Sequence, residues 1–124
     1  MTEYKKNAQR KLTLKGTVDC SVAGISFDGR QNVAHALARA VRDNKRAWVE
    51  IRRERNNEHD ANAIAVIAHT MSLHARVGYV PARIAADLAT IIDDGGRVRA
   101  NSFAFVGGYG GRNIGMRLEL EVFA

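Results

Sequence analysis

The stretch that most constrains the fold is NAIAVIAH, residues 62–69, because nearly every one of its positions is apolar. A strand with one face in water alternates apolar and polar residues, whereas a strand buried on both faces reads as a continuous apolar run. We therefore predict a central strand here. The rest of the chain must supply the strands that flank it.

Other segments have the pattern of such neighbouring strands. AWVEIRRE alternates Val49 and Ile51 with Glu50 and Arg52, which is typical of a half-exposed strand. ARVGYV is short and ends at Pro81, which cannot continue a ladder of hydrogen bonds. Three more strands are predicted: residues 12–25, bent near Gly16; RVRANSFAFV; and IGMRLELEVF, in which Ile114, Met116, Leu118, Leu120 and Val122 share one face.

Two segments have the apolar spacing of amphipathic helices. The first ends near Asn44, and the second begins at Pro81, whose fixed φ suits a first helical turn, and is closed by Gly95 and Gly96. The apolar stripes are Val33, Leu37, Ala38 and Val41 in the first helix and Ile84, Leu88, Ile91 and Ile92 in the second. About six strands and two helices predict a mainly β protein, a small curled sheet or partly open barrel closed by helices.

Length and composition indicate one soluble domain. A chain of 124 residues with 46% hydrophobic and 26% charged residues can bury a core of its own. We expect a flexible basic arm over residues 1–11 and a single domain over residues 12–124. Cys20 is the only cysteine, so no intramolecular disulfide or cysteine-based zinc site can form, and we expect it in the core. Without a long apolar run or signal-peptide pattern, we expect a reducing, intracellular, cytoplasmic setting.

The charge of the chain favours a polyanionic partner. Its formal net charge is +6 and its pI is about 10.0. Basic proteins attract nucleic acid through steering and the release of counterions. An acidic protein partner, or solubility alone, also explains such a charge.

Three stretches carry a family resemblance: VAGISFDGRQN, EIRRERNNEHDANAIAV and RVGYVPARIAADLATIIDDGG. In their order and spacing they resemble the HIRAN domain, a DNA-binding module of SWI/SNF-type ATPases that also occurs alone in bacterial and phage proteins. The resemblance covers roughly residues 12–122, and the middle stretch is its most specific part. It implies an OB-like small β-barrel that binds single-stranded DNA and recognises a free 3′-hydroxyl end.

The loop NNEHD has side chains that suit the end of a strand. The ionised carboxylate of Asp60 only accepts hydrogen bonds, so it repels an internal phosphate but can accept one from a terminal sugar hydroxyl. Asn57 can hold the same hydroxyl or the last sugar, and His59 offers a ring that can stack on the terminal base. The resemblance gives these three residues the role of contacting the strand end. The alternative is an Asx-turn network, in which Asp60 and Asn62 bond backbone amides and shape the entry to the next strand.

Five further residues are candidates for DNA contact. Phe27, in SFDGRQ, can stack on a base, and Arg30 can pair with a phosphate. Tyr79, in VGYVP, can contact a sugar or base. Arg53 and Arg55, beside the loop, can contact phosphates. The alternatives are burial in the core for Phe27 and Tyr79, and solvated surface charge for the arginines.

Other kinds of site have weaker support. His69 and His74 lack the H-x-x-x-H spacing of a helical zinc site, and GGYGGR does not match a phosphate-binding fingerprint. Glu54, Glu58 and Asp60 are close in sequence, as carboxylates of a metal-dependent nuclease would be. The resemblance assigns this loop to binding, so we expect no metal, no cofactor and no catalysis.

We therefore predict a non-catalytic module that binds single-stranded DNA, recognises free 3′-hydroxyl ends, and serves DNA repair, replication or phage or bacterial DNA metabolism. It would associate with the nucleoid in a bacterium, and its protein partners would be a helicase, ATPase or nuclease. Two alternatives stay open: a protein-interaction or regulatory adaptor without end recognition, and a metal-dependent DNA-processing enzyme. RNA in place of DNA also stays open.

Overall fold

The structure, a computed structural model, describes residues 11–27 and 29–124. Residues 1–10, which hold nearly all of the predicted basic arm, lie outside the described residues. The elements, in chain order, are β1 (Leu14–Ser21), α1 (Arg30–Arg42), β2 (Ala47–Arg53), β3 (Ile64–Thr70), β4 (His74–Tyr79), α2 (Ala82–Asp93), β5 (Arg97–Gly107) and β6 (Ile114–Phe123). These elements confirm the predicted mainly β fold with two helices.

The six strands form two antiparallel sheets of three strands, ordered β1-β6-β5 and β2-β3-β4. In β3, the strand of the continuous apolar run, every residue except His69 is buried. This confirms its predicted central position. The middle strand of the other sheet, β6, buries the predicted alternating residues Ile114, Met116, Leu118, Leu120 and Val122.

The helices pack on a shared core. Cys20 is buried in that core, as predicted. The predicted stripe of the first helix needs one correction, because Val41 is 45% exposed. The buried face of α1 runs instead through Leu37 and two alanines. The helix residues that are buried are Ala34, Leu37 and Ala40 in α1 and Ala85, Leu88 and Ala89 in α2.

The first strand ends earlier than the sequence predicted. It stops at Ser21 rather than Ile25, because the chain then leaves its own sheet. Ala23 exchanges two backbone hydrogen bonds with Tyr79 at the end of β4, at 2.7 and 2.9 Å. This bridge joins the two sheets and fixes the turn before α1 beside the end of β4.

Gly78 makes this close approach possible. A Cβ atom at this position would lie 2.4 Å from Cγ1 of Val22 and 2.5 Å from the carbonyl oxygen of Ala23. Both distances are far inside van der Waals contact, so a larger residue would push β4 away from the bridge.

On the opposite side the two sheets do not join. The edges of β2 and β5 border a groove of about 470 Å³, lined by residues of both strands. The described residues therefore form an OB-like barrel that is open between β2 and β5, as the prediction of a partly open barrel requires. Neither described helix is long and apolar enough to cross a bilayer.

Candidate nucleic-acid interface

One cleft of about 720 Å³ brings together six of the eight predicted contact residues. It lies where the turn before α1, the loop between β2 and β3, and the end of β4 meet. Small apolar residues that the sequence did not single out complete its lining. The lining residues are Ala23, Phe27, Arg30, Asn57, His59, Asp60, Ala63, Tyr79, Val80 and Ala82.

One wall of the cleft combines two aromatic rings with a cation. The guanidinium carbon of Arg30 lies 5.4 Å from the ring centroid of Phe27 and 5.4 Å from that of Tyr79. Arg30 Nη1 donates a hydrogen bond to the carbonyl oxygen of Gly24 at 3.0 Å, which holds the guanidinium in place. Phe27 is 68% exposed, so it is not a core residue. The ring of Phe27 and most of the Arg30 guanidinium donors therefore remain open to a ligand, whereas the half-buried Tyr79 ring also has Arg76 at 5.5 Å.

The side chain of Asn57 organises the loop from within. Its Oδ1 accepts hydrogen bonds from the backbone N–H groups of His59 at 2.8 Å and Asp60 at 3.0 Å. Its Nδ2 donates to Glu54 Oε1 at 3.1 Å. A contact between Asn57 and a strand end would therefore compete with the bonds that shape the loop.

Asp60 is half-buried in the cleft and has one carboxylate oxygen available. Its Oδ1 accepts a hydrogen bond from the backbone N–H of Asn62 at 2.8 Å, which is the Asx turn considered for this loop. Within the described residues, Oδ2 has no hydrogen-bond partner. The turn and an end contact are compatible, since they use different oxygens. The neighbouring His59 is exposed, and its ring is free to meet a ligand.

The sequence singled out Glu54 only as a possible nuclease carboxylate, but in the structure it supports both the loop and Tyr79. It accepts hydrogen bonds from Tyr79 Oη at 2.9 Å and Asn57 Nδ2 at 3.1 Å, and its Oε2 pairs with Arg76. No sequence signal joins these residues, because Arg76 and Tyr79 lie in β4, beyond the whole of β3.

These hydrogen bonds and burial determine the protonation states of Glu54 and Tyr79. Burial raises the pKa of Glu54, but the hydrogen bonds from Arg76, Asn57 and Tyr79 together outweigh it, so the pKa lies below its ordinary value. Burial, followed by the hydrogen bond to Glu54, raises the pKa of Tyr79. At neutral pH Glu54 is a charged acceptor and Tyr79 a protonated donor. The hydroxyl of Tyr79 is thus engaged, and its ring is what it offers to the cleft.

Arg53 and Arg55 lie outside the lining of the cleft. Arg53 is only 9% exposed and donates to Asp93 at 3.0 and 3.2 Å and to the carbonyl oxygen of Ala61 at 2.7 Å. Arg55 Nη2 pairs with Asp93 at 2.8 Å. Phosphate contacts by these two residues stay a prediction, and they would have to displace Asp93.

The two histidines considered as metal ligands lie at the far end of the β3–β4 hairpin. The Nδ1 atoms of His69 and His74 are 2.7 Å apart, and His69 Nε2 bonds Glu50 Oε1 at 2.7 Å. In residues 11–27 and 29–124, no group of three or more His, Cys, Asp or Glu side chains is arranged to hold a metal ion.

Comparison with known families decides what kind of module carries this cleft. The HIRAN domain model matches residues 15–122 of the chain. The chain belongs to the HIRAN family. None of the curated protein sequences matches it. Among solved structures, the HIRAN domain of human HLTF is similar, with a TM-score of 0.56 and 20% identity over 94% of this chain and 82% of that one.

The family assignment confirms the resemblance read from the sequence. The similarity to the human HIRAN domain confirms the OB-like architecture, and at this identity it speaks only to the fold. HIRAN domains are DNA-binding modules, which agrees with the basic charge of the chain. The cleft of this HIRAN domain lies within the matched residues.

Proposed function

We propose that this HIRAN domain binds single-stranded DNA at free 3′-hydroxyl ends, holds the end in the cleft, and catalyses no reaction on it. The observation that carries the proposal is the set of residues that line the cleft together with Asp60. An acceptor-only carboxylate lines the same cleft as two aromatic rings and an arginine. The rings and the arginine suit a nucleic-acid strand, whereas the carboxylate suits only a part of the strand that lacks phosphate.

The carboxylate supplies the selectivity for the end. A 3′-hydroxyl can donate a hydrogen bond to Oδ2 of Asp60, and hydrogen bonds to charged groups contribute about 1.5–3 kcal/mol. A 3′-phosphate is an anion and meets electrostatic repulsion at the same place. An internal nucleotide offers a phosphate there as well. The free hydroxyl end is the one part of a DNA strand that suits this position.

The rings and Arg30 supply affinity that does not depend on sequence. The terminal base can stack on the exposed ring of Phe27 or His59, and such stacking contributes about 1–3 kcal/mol per base. Arg30 can pair with the phosphate that precedes the last sugar. Because Arg30 is the first residue of α1, the positive end of the helix dipole adds to the same attraction.

The test replaces the carboxylate of Asp60 with a carboxamide. Asp60→Asn keeps an oxygen that accepts from the N–H of Asn62, so the loop is preserved, but it removes the charge. We expect affinity for a short 3′-hydroxyl strand to fall about tenfold, since about 1.4 kcal/mol is lost. Affinity for the 3′-phosphate strand should not fall, and it should rise if anything, because the charge that repels the phosphate is removed. DNA and RNA strands of one sequence, measured in parallel, determine which sugar is preferred.

A matched control separates end recognition from loop structure. Asn62→Ala keeps the N–H that Asp60 bonds and leaves its charge intact. We expect this variant to retain the preference for the hydroxyl end. Equal losses of Asp60→Asn on both strands would reduce Asp60 to a structural residue and overturn the proposal.

A further inference from the structure

The outer face of the β2-β3-β4 sheet carries an ordered set of side chains that leads away from the cleft. Residues paired directly across antiparallel strands lie on the same face. On the outer face the register therefore gives three cross-strand rows. The rows are Arg52–Ala65–Tyr79, then Glu50–Ile67–Arg76, and then Trp48–His69–His74.

A β-bulge brings these rows into line. Arg76 and Tyr79 are three residues apart, so in a regular strand they would lie on opposite faces. The register of β4 shifts by one residue against Val66 and Ile67, which leaves Val77 as the extra residue. The bulge thus returns Tyr79, the residue that lines the cleft, to the face that carries Arg76 and His74.

The row farthest from the cleft is an exposed aromatic cluster. The rings of Trp48 and His69 stack at a centroid distance of 4.9 Å with 6° between their planes, and His74 lies 4.9 Å from His69. The guanidinium of Arg46 lies 4.8 Å from the Trp48 ring. Trp48 remains 39% exposed. Aromatic rings with a nearby cation, partly exposed at the hairpin end of the sheet, form the kind of surface on which bases stack.

The face between the cluster and the cleft is continuous. Arg76 lies 5.5 Å from the ring centroid of Tyr79, so it connects the middle row to the cleft wall. The β3 partners of Tyr79 and His74 are Ala65 and His69, which are four residues apart because Val77 is the extra residue of the bulge. The two ends of the face are therefore about 13 Å apart at 3.3 Å per residue. At the stacked rise of about 3.4 Å this distance is at most about four nucleotide steps, and an extended single strand covers it in fewer steps.

The charges on this face do not by themselves favour a nucleic acid over an acidic peptide, because two of the arginines are already paired with carboxylates. The aromatic row is what favours a nucleic acid, since bases can stack on it. Arg52 bonds Glu50, and Arg76 bonds Glu54. In the described part of the chain Arg46 has no carboxylate partner, and it is the cation next to the stacking surface. A strand that passes here meets a positive charge and a flat ring together.

We propose that the 5′ continuation of the strand held in the cleft crosses this face, past Arg76, and stacks a base on the Trp48–His69–His74 cluster at about the third to fifth nucleotide from the 3′ end. The proposal rests on the function proposed for the cleft. It extends the binding site to a second contact, and affinity then depends on strand length. Strands too short to reach the cluster bind through the cleft alone.

The fluorescence of Trp48 tests this directly, because it is the only tryptophan in the chain. We expect a 3′-hydroxyl strand of eight nucleotides to quench the tryptophan emission, and a strand of two nucleotides to bind without quenching it. Removing a single base, in turn at the third, fourth and fifth nucleotides from the 3′ end, should abolish most of the quenching at one of these positions. Anisotropy of labelled strands reports binding in each case.

Substitution gives the matching affinity measurement. Trp48→Ala should weaken binding of the eight-nucleotide strand about fivefold or more, the equivalent of about 1 kcal/mol for one stacked base, and leave the two-nucleotide strand unchanged. Tyr109→Ala is the matched control, since Tyr109 is an aromatic residue that is 82% exposed in the β5–β6 turn. It should leave both affinities unchanged.

The outcomes separate this proposal from the one it rests on. If both strands bind with the end preference that depends on Asp60, but neither quenches Trp48, the cleft function stands and the strand path is overturned. The path is also overturned if Trp48→Ala weakens both strand lengths equally, or if a poly-glutamate peptide quenches Trp48 and the strands do not. In that last case the cluster belongs to a protein partner. If the wild-type protein shows no preference for the 3′-hydroxyl end, the cleft function and the strand path are both overturned.

Discussion

Glu54 is the residue whose removal should damage the cleft most. Its side chain is 17% exposed, and it accepts hydrogen bonds from Tyr79 and Asn57 and pairs with Arg76. A hydrogen bond to a charged acceptor contributes about 1.5–3 kcal/mol when it is buried. The pair with Arg76, which is 43% exposed, adds at most about 1 kcal/mol because water screens it. We expect Glu54→Ala to lower the free energy of unfolding by about 2–3 kcal/mol, since the three bonds are not additive.

The assay is urea unfolding of the wild-type protein and two variants. A loss of 2–3 kcal/mol should lower the midpoint by about 1 M or more. The matched control is Glu121→Ala, because Glu121 is 15% exposed but, among residues 11–27 and 29–124, its side chain bonds only Arg99, at 2.8 Å. That variant should lose about 1 kcal/mol or less. Equal losses in the two variants, or a loss below about 0.5 kcal/mol for Glu54→Ala, would refute the role given to this carboxylate.

The pH dependence of stability gives the same reasoning a second test. The pKa of Glu54 is lowered in the folded protein, so its contribution is fully present above the ordinary glutamate pKa of about 4.3 and is lost as the pH falls through the folded value. The difference in stability between the wild-type protein and Glu54→Gln should therefore be constant near neutral pH. It should shrink below about pH 4.3. A difference that grows on acidification would contradict the direction of this shift.

Three further perturbations test the bridge, the ring and the cation. Gly78→Ala should lower the free energy of unfolding by about 1–3 kcal/mol, because the new Cβ overpacks against the Ala23 bridge. Gly16→Ala should be nearly neutral, since a Cβ there meets nothing within 4 Å, and equal thermal midpoints for the two variants would contradict this. Phe27→Ala should weaken single-strand binding by about 1–3 kcal/mol in anisotropy titrations with no loss of thermal stability, and unchanged affinity would remove this ring from the site. Arg30→Gln should make the salt dependence of binding shallower by about 0.7, and an unchanged slope would remove Arg30 from the phosphate contacts. The same titration with Arg55→Gln tests the phosphate contact predicted for Arg55.

The sequence predicted those features of the fold that leave a local pattern. The apolar run of β3 and the strict alternation of β6 identified the two middle strands, because the spacing of apolar residues shows whether one or both faces of a strand are buried. The end of β1 was placed four residues too late. Val22 and Ile25 continue the apolar pattern, but the chain turns there to make the Ala23–Tyr79 bridge, and such a long-range pairing has no local signal.

The candidate site divides in the same way. Phe27, Arg30, His59 and Asp60 stood out by residue type, and the fold brings them into one cleft. The sequence could not reveal that Arg53 and Arg55 are engaged by Asp93, which belongs to α2, because this contact spans about forty residues. It named Glu54 as a possible nuclease carboxylate and missed its contacts with Arg76 and Tyr79 for the same reason. Electrostatic partners across strands depend on register, and a one-residue bulge such as the one in β4 changes them all.

The most direct measurement of the central claim compares three strands of one sequence on the wild-type protein. The first carries a 3′-hydroxyl alone, the second a 3′-phosphate, and the third a 3′-hydroxyl with a 5′-phosphate, so that the last two have equal charge. Fluorescence anisotropy at about 0.15 M salt keeps nonspecific attraction low. If the cleft reads the free end, the first and third strands bind alike and the second binds more weakly. If the second and third bind alike, the carboxylate of Asp60 serves only the turn and the proposed end recognition is wrong.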